Sequence, residues 1–155
     1  MNILTRLVLV FSFCIGFASA KEAKVVFDVT SGDSHKIGKH LINSVNVLET
    51  YYKKENIDLK VIVVISGDAY KYFIEDLKKS PYATQTEVAD VQAKFKTDFQ
   101  KLNDKYGVIF EMCANGMRAR KINPNNLYKF VHADVMKGVY LIEAQNSGYA
   151  YIPIH

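Results

Sequence analysis

Apolar residues follow two rhythms along this chain, and the changes between them mark out its elements. Lys24 to Val29 is a short run rich in branched residues that meets a turn at Thr30-Ser31-Gly32-Asp33-Ser34, so it predicts a first strand. From about Lys36 to Lys54 the apolar positions Ile37, Leu41, Val45, Leu48 and Tyr52 recur at steps of three and four. That spacing predicts an amphipathic helix with Asp33 or Ser34 as its N-cap. Leu59 to Ile65 is nearly continuous apolar sequence, the mark of a strand covered on both faces, and it ends at Ser66-Gly67-Asp68.

Ala69 to Lys79 reads as a short helix stopped before Pro81. Glu87 to Tyr106, with Val88, Val91, Phe95, Phe99, Leu102 and Tyr106 on one stripe, predicts a long amphipathic helix closed at Gly107. Val108 to Met112 gives a third strand and Gly116 to Lys121 a short helix. A weaker fourth strand is expected around Val131 to Val135, then a helix near Lys137 to Asn146 and a last strand from Tyr149 to Ile152. Strands alternating with helices predict an α/β fold, a three-layer α/β/α sandwich around a five-stranded, mainly parallel sheet. In such sheets ligands bind beyond the carboxyl ends of the strands. Ser31, Gly32, Ser66 and Gly67 should therefore meet Cys113, Ala114 and Asn115 on one rim.

The N-terminus has a different pattern. Arg6 precedes a largely apolar run from Leu7 to Phe17, and Ala18-Ser19-Ala20 supplies small residues for cleavage, so residues 1–20 read as a signal peptide. The run is too short for a membrane span, and Phe13 stands before Cys14 where lipid attachment needs small residues. The expectation is a soluble periplasmic or secreted protein with no stable membrane anchor, whose residues 21–155 form one domain. With Arg6 gone, the 20 basic residues fall by one to 19 against 16 acidic ones, a net +3 mixed along the chain, which calls for no nucleic acid.

Of the two cysteines only Cys113 lies in that domain, which leaves an unpaired thiol in an oxidising compartment. It stands where Val108-Ile109-Phe110-Glu111-Met112 gives way to Ala114-Asn115-Gly116-Met117-Arg118-Ala119-Arg120-Lys121. A helix N-terminus and the nearby cations Arg118, Arg120 and Lys121 would favour its thiolate. Free cysteine is also a common core residue, and that reading stays open. The histidines His35, His40, His132 and His155 form no metal spacing with it, and no cofactor is called for. Gly32-Asp33-Ser34-His35-Lys36-Ile37-Gly38-Lys39-His40 has five residues between its glycines and a histidine where a phosphate-binding loop needs Ser or Thr. Ser31 and Ser66 lack the Gly-x-Ser-x-Gly setting of a serine hydrolase. Tyr149 and Tyr151 make one face of the last strand aromatic, for core or subunit packing.

Phe110 to Met117 followed by basic residues, Asn46-Val47-Leu48 on the first helix, a glycine after the second strand and the closing Gln145-Asn146-Ser147-Gly148-Tyr149-Ala150-Tyr151-Ile152-Pro153 together resemble the DsrE/DsrF-like family of sulfur-relay proteins. The likeness runs from about Lys24 to Pro153. It implies a five-stranded parallel α/β/α fold, a homo-oligomer (trimer or hexamer), and a cysteine that carries sulfane sulfur as a persulfide, here Cys113, exchanging it with a donor or acceptor protein. Asn115, Gly116, Arg118 and Arg120, with Ser31, Gly32, Ser66 and Gly67 across the rim, are the candidate substrate-binding residues. Two departures stand out. Ser66 occupies a position where many relatives have histidine, and the characterised relays are cytoplasmic whereas this chain carries an export pattern. The competing expectations are an oligomeric scaffold with an idle, buried Cys113, and a thiol redox-sensing module.

Overall fold

Branched residues that must be covered on two faces favour an inner strand, and the first two apolar runs supply the middle of the sheet. The computed structural model describes residues 21–155; the leader expected at residues 1–20 lies outside them. Strand β1 (Glu22–Val29) pairs in parallel with β2 (Asp58–Ile65) on one side and β5 (Ala150–Ile154) on the other. Beyond β2 follow β3 (Ile109–Met112) and β4 (Val131–His132), giving the order β4-β3-β2-β1-β5 with every pairing parallel.

Alternation along the strands divides the core. Val25, Phe27 and Val29 of β1 and Val61, Val63 and Ile65 of β2 join the main cluster, which includes Phe95, Phe99 and Leu102 of α3 (Thr86–Tyr106). Val26 and Val64 face the other way, onto Ala144 of α5 (Lys137–Asn146). A parallel sheet needs covering on both sides, and these helices provide it.

The first helical stretch differs from a single α-helix. A turn α1 (Ser34–Lys36), capped by the Asp33 carboxylate, runs into a π-helical segment, Ile37–Ile42, and then into α2 (Asn43–Lys54). Buried Ile37, Leu41 and Val45 lie at steps of four, more than one ideal turn of 3.6 residues. The wider π winding slows the rotation and keeps these three on the core side.

Two further departures have local causes. Ala69 to Lys79 is not an α-helix but two 3-10 turns, Ala69–Phe73 and Leu77–Lys79, with extended Ile74 bridged to Leu127 between them. Ala69, Tyr70, Tyr72, Phe73 and Ile74 are all buried, more than one helical stripe can hold. Asn126 then ties the chain down by accepting from the Asp76 N–H at 2.9 Å and donating to the Asp76 carbonyl at 2.8 Å. The expected strand Val131 to Val135 stops after His132 because the Tyr140 hydroxyl accepts the N–H groups of Asp134 and Val135, at 2.9 and 3.2 Å. Helix α4 (Ala114–Ala119) starts two residues earlier than its sequence pattern predicts, directly after Cys113. Among the described residues no helix is long and apolar enough to cross a membrane.

Candidate functional site

Because all five strands run the same way, their carboxyl ends share one edge, and backbone bonds stitch that edge together. The Cys113 N–H donates to the Ile65 carbonyl at 2.9 Å, the Ser66 N–H to Val29 at 2.9 Å, and the Thr30 and Ser31 N–H groups to Ile154 at 2.9 and 3.1 Å. Ser66 and Cys113 thus follow directly on paired residues of adjacent strands. Gly67 and Gly32 join their loops at close range. Gly67 has φ +60° and a Cβ there would lie 2.8 Å from the Thr30 carbonyl, while one on Gly32 would lie 2.8 Å from the Asp68 Cβ. Ser31 is buried and its Oγ accepts from the Asp33 N–H at 3.3 Å.

Cys113 occupies the N-cap of α4, with φ −61° and ψ 107°, and is half-buried. An N-cap side chain ordinarily accepts from the second and third N–H groups of its helix, a task of Ser, Asp or Asn. The Cys113 side chain makes no such capping hydrogen bond. Burial pushes the thiol up, but the N–H groups of Gly116, Lys137 and Asn115 and the Tyr70 hydroxyl outweigh it and hold Cys113 below its ordinary value. Asn115 and Gly116 are the second and third residues of α4, and Lys137 is the first of α5. Two helix N-termini therefore converge on one sulfur, and the Ala114 N–H joins them by donating to the Val135 carbonyl at 2.9 Å.

Gly116 is needed at this corner for a second reason. A Cβ on it would fall 2.0 Å from the Tyr70 hydroxyl oxygen. Tyr70 is buried and donates to the Cys113 carbonyl at 2.9 Å, and burial raises its own ionisation so that it stays a donor.

The arginines are turned elsewhere. Arg118 hydrogen-bonds the Asn115 side chain, and the Arg120 guanidinium lies 4.9 Å from the centre of the Tyr70 ring. Neutral backbone dipoles, rather than these cations, supply the thiolate stabilisation described above. The open face of α4 still carries the charge of Arg118 next to the sulfur-bearing corner.

Tyr70 and the α5 N-terminus escaped the sequence reading. Tyr70 lies in a segment read as a short helix stopped before Pro81. The α5 contact had one signal, a lysine opening a helix after uncapping Met136. His132 lies one row below the rim, opposite Glu111 in the sheet register. Among the described residues no group of three or more metal-ligating side chains comes together. A cavity of about 600 Å³ lies between the first helical stretch and β5, lined by His40, Asn43, Val47, Leu48, Ile152 and Pro153 among others, and Cys113 is not part of it.

Residues 24–154, nearly the whole of the described chain, match the profile of a known family. The chain belongs to the DsrE/DsrF-like family. A relative from Aquifex aeolicus (strain VF5), described as an uncharacterized protein, is 28% identical over 137 residues; the match covers 88% of this chain and 58% of the relative, so the chain spans somewhat over half of that protein's length. The fold is also that of the protein of unknown function MTH1491 from Methanobacterium thermoautotrophicum, with TM-score 0.66, 20% identity, and coverage of 84% of this chain and 98% of that one. The ychN protein from E. coli aligns over the same shares at TM-score 0.52 and 16% identity. These two likenesses establish the DsrE-like α/β architecture.

Proposed function

We propose that this DsrE/DsrF-like chain carries sulfane sulfur as a persulfide on Cys113. The observation that supports it most is the placement of the sulfur at two helix N-termini, where N–H groups favour the thiolate that must act as nucleophile. A persulfide anion placed there would meet the same donors.

The step balances without an outside oxidant. The Cys113 thiolate attacks the outer sulfur of thiosulfate, the sulfur–sulfur bond of the donor breaks, and sulfite leaves with the electron pair. An acceptor thiolate then attacks the outer sulfur of the Cys113 persulfide, takes it, and returns Cys113 as thiolate. Asn115 and Gly116 contribute N–H groups, and Arg118 gives an anionic donor a cationic contact. Ser66, next to Cys113, and Ser31, Gly32 and Gly67 form the floor of the rim on which the donor would rest. In this reading the protein is exported by residues 1–20, works as a trimer or hexamer, and exchanges sulfur with a donor or acceptor protein.

The test is turnover of the sulfur. Protein incubated with thiosulfate and desalted should release thiocyanate on addition of cyanide, in an amount approaching one per chain, and Cys113→Ser should release none. Arg118→Ala should slow loading from thiosulfate more than loading from a neutral trisulfide. Thiocyanate yields equal in the wild type and Cys113→Ser would refute the reading.

A further inference from the structure

Lys137 is an unfavourable residue for its position. It opens α5, where the positive end of the helix dipole opposes an ammonium group, and neither a capping side chain at Met136 nor an acidic residue in the first turn offsets it. Its side chain turns back onto the sheet instead. The Lys137 Nζ lies 2.8 Å from Oδ2 of Asp28 on β1, and Asp28 is only 2% exposed. The Tyr151 hydroxyl on β5 donates to the same oxygen at 2.8 Å, while Oδ1 is covered and meets no donor of the chain. A buried carboxylate is costly unless paired, and the cation paired with this one is Lys137, two residues after Val135, whose carbonyl accepts the N–H of Cys113's neighbour Ala114 at 2.9 Å; the Lys137 N–H helps to hold the thiol below its ordinary value.

We propose that Asp28 is a positioning residue for Cys113: by holding Lys137 against the sheet, it holds the first turn of α5 and the Lys137 N–H beside the thiol. The Tyr140 hydroxyl, which binds the N–H groups of Asp134 and Val135, fixes the loop before α5, and Asp28 fixes the helix itself. The other polar and charged groups around the thiol are Tyr70, Arg120 over the Tyr70 ring, and Arg118 on Asn115. None of these reaches the Asp28 carboxylate in the structure, so the pair acts on Cys113 through α5. The inference rests on the sulfur-carrying reading of the same cysteine, yet it concerns the thiol before any sulfur arrives.

Iodoacetamide alkylation of Cys113, followed from about pH 6 to about pH 10 and read by peptide mass spectrometry so that Cys14 does not count, tests it. In Asp28→Asn the midpoint should move upward. The rate at about pH 7 should fall roughly threefold to tenfold, while the rate at high pH, where every thiol is ionised, stays the same. Adding Lys137→Met to Asp28→Asn should change the profile little further, because both substitutions cut the same link. An unmoved midpoint in a folded Asp28→Asn protein would overturn the proposal. Should Asp28→Asn fail to fold, the double variant, which leaves no unpaired buried charge, carries the same comparison. Loss of the fold there too would assign the pair to stability and end the proposal. Wild-type protein that loads no sulfur while its Asp28→Asn profile still shifts would remove the persulfide reading and leave the positioning role standing.

Discussion

At the scale of single residues, Cys113 is the N-cap residue of α4, its side chain makes no capping hydrogen bond, and its thiol is held below its ordinary ionisation by the folded chain. A group whose folded ionisation lies below its unfolded value adds stability above the unfolded value and loses it as pH falls through the folded one. Urea unfolding from about pH 6 to about pH 10 should therefore show the wild type gaining on Cys113→Ala as pH rises; parallel curves would deny that folding lowers the ionisation of Cys113. Gly116→Ala is the second residue-scale prediction. The added methyl meets the Tyr70 hydroxyl at 2.0 Å and its ring carbon Cζ at 2.9 Å, so the variant should lose about 1–3 kcal/mol, the usual cost of overpacking. Tyr70→Phe should recover only part of that in the urea midpoint, since the ring carbon remains.

Elements were legible in the sequence wherever one face alone needed burying. The stripe from Val88 to Tyr106 became α3, and the Lys137 to Asn146 pattern became α5 with the same limits. Reading failed where tertiary partners decided the backbone. Tyr70, Tyr72 and Phe73 are buried together, which a stripe-forming helix cannot achieve, and the end of β4 depends on a hydroxyl eight residues from His132. The cysteine corner was legible as a strand giving way to a helix, but its strongest neighbours, Tyr70 and the α5 N-terminus, come from segments distant in sequence and left little local signal. The contact of Tyr140 on α5 with Glu111 on β3 yields a prediction. Burial raises the Glu111 carboxyl above its ordinary value, against a hydrogen bond from Tyr140, and Glu111 Oε2 is covered and unpartnered. A carboxyl raised on folding contributes stability below its unfolded value that is lost as pH rises through the folded value. Glu111→Gln should thus raise the melting temperature near pH 7 and leave it unchanged near pH 4, about where a free glutamate titrates. An unchanged melting temperature near pH 7 would contradict this account of Glu111.

The whole molecule presents its α5 side with Ile109, Val135, Met136 and Ile142 substantially exposed, although an apolar surface of that kind favours association. If the homo-oligomer expected of this chain uses that side, light scattering should report a trimer or hexamer, and Ile142→Glu should lower the mass toward the monomer; a monomer across a wide concentration range would contradict the assembly. Within such an assembly, as in the single chain, the central claim is that Cys113 holds transferable sulfur. Intact-mass spectrometry after incubation with thiosulfate tests it most directly. The account predicts a gain of one sulfur atom per chain that disappears with dithiothreitol and is missing in Cys113→Ser. A Cys113 that iodoacetamide reaches freely, yet that never gains sulfur from thiosulfate or polysulfide, would contradict it.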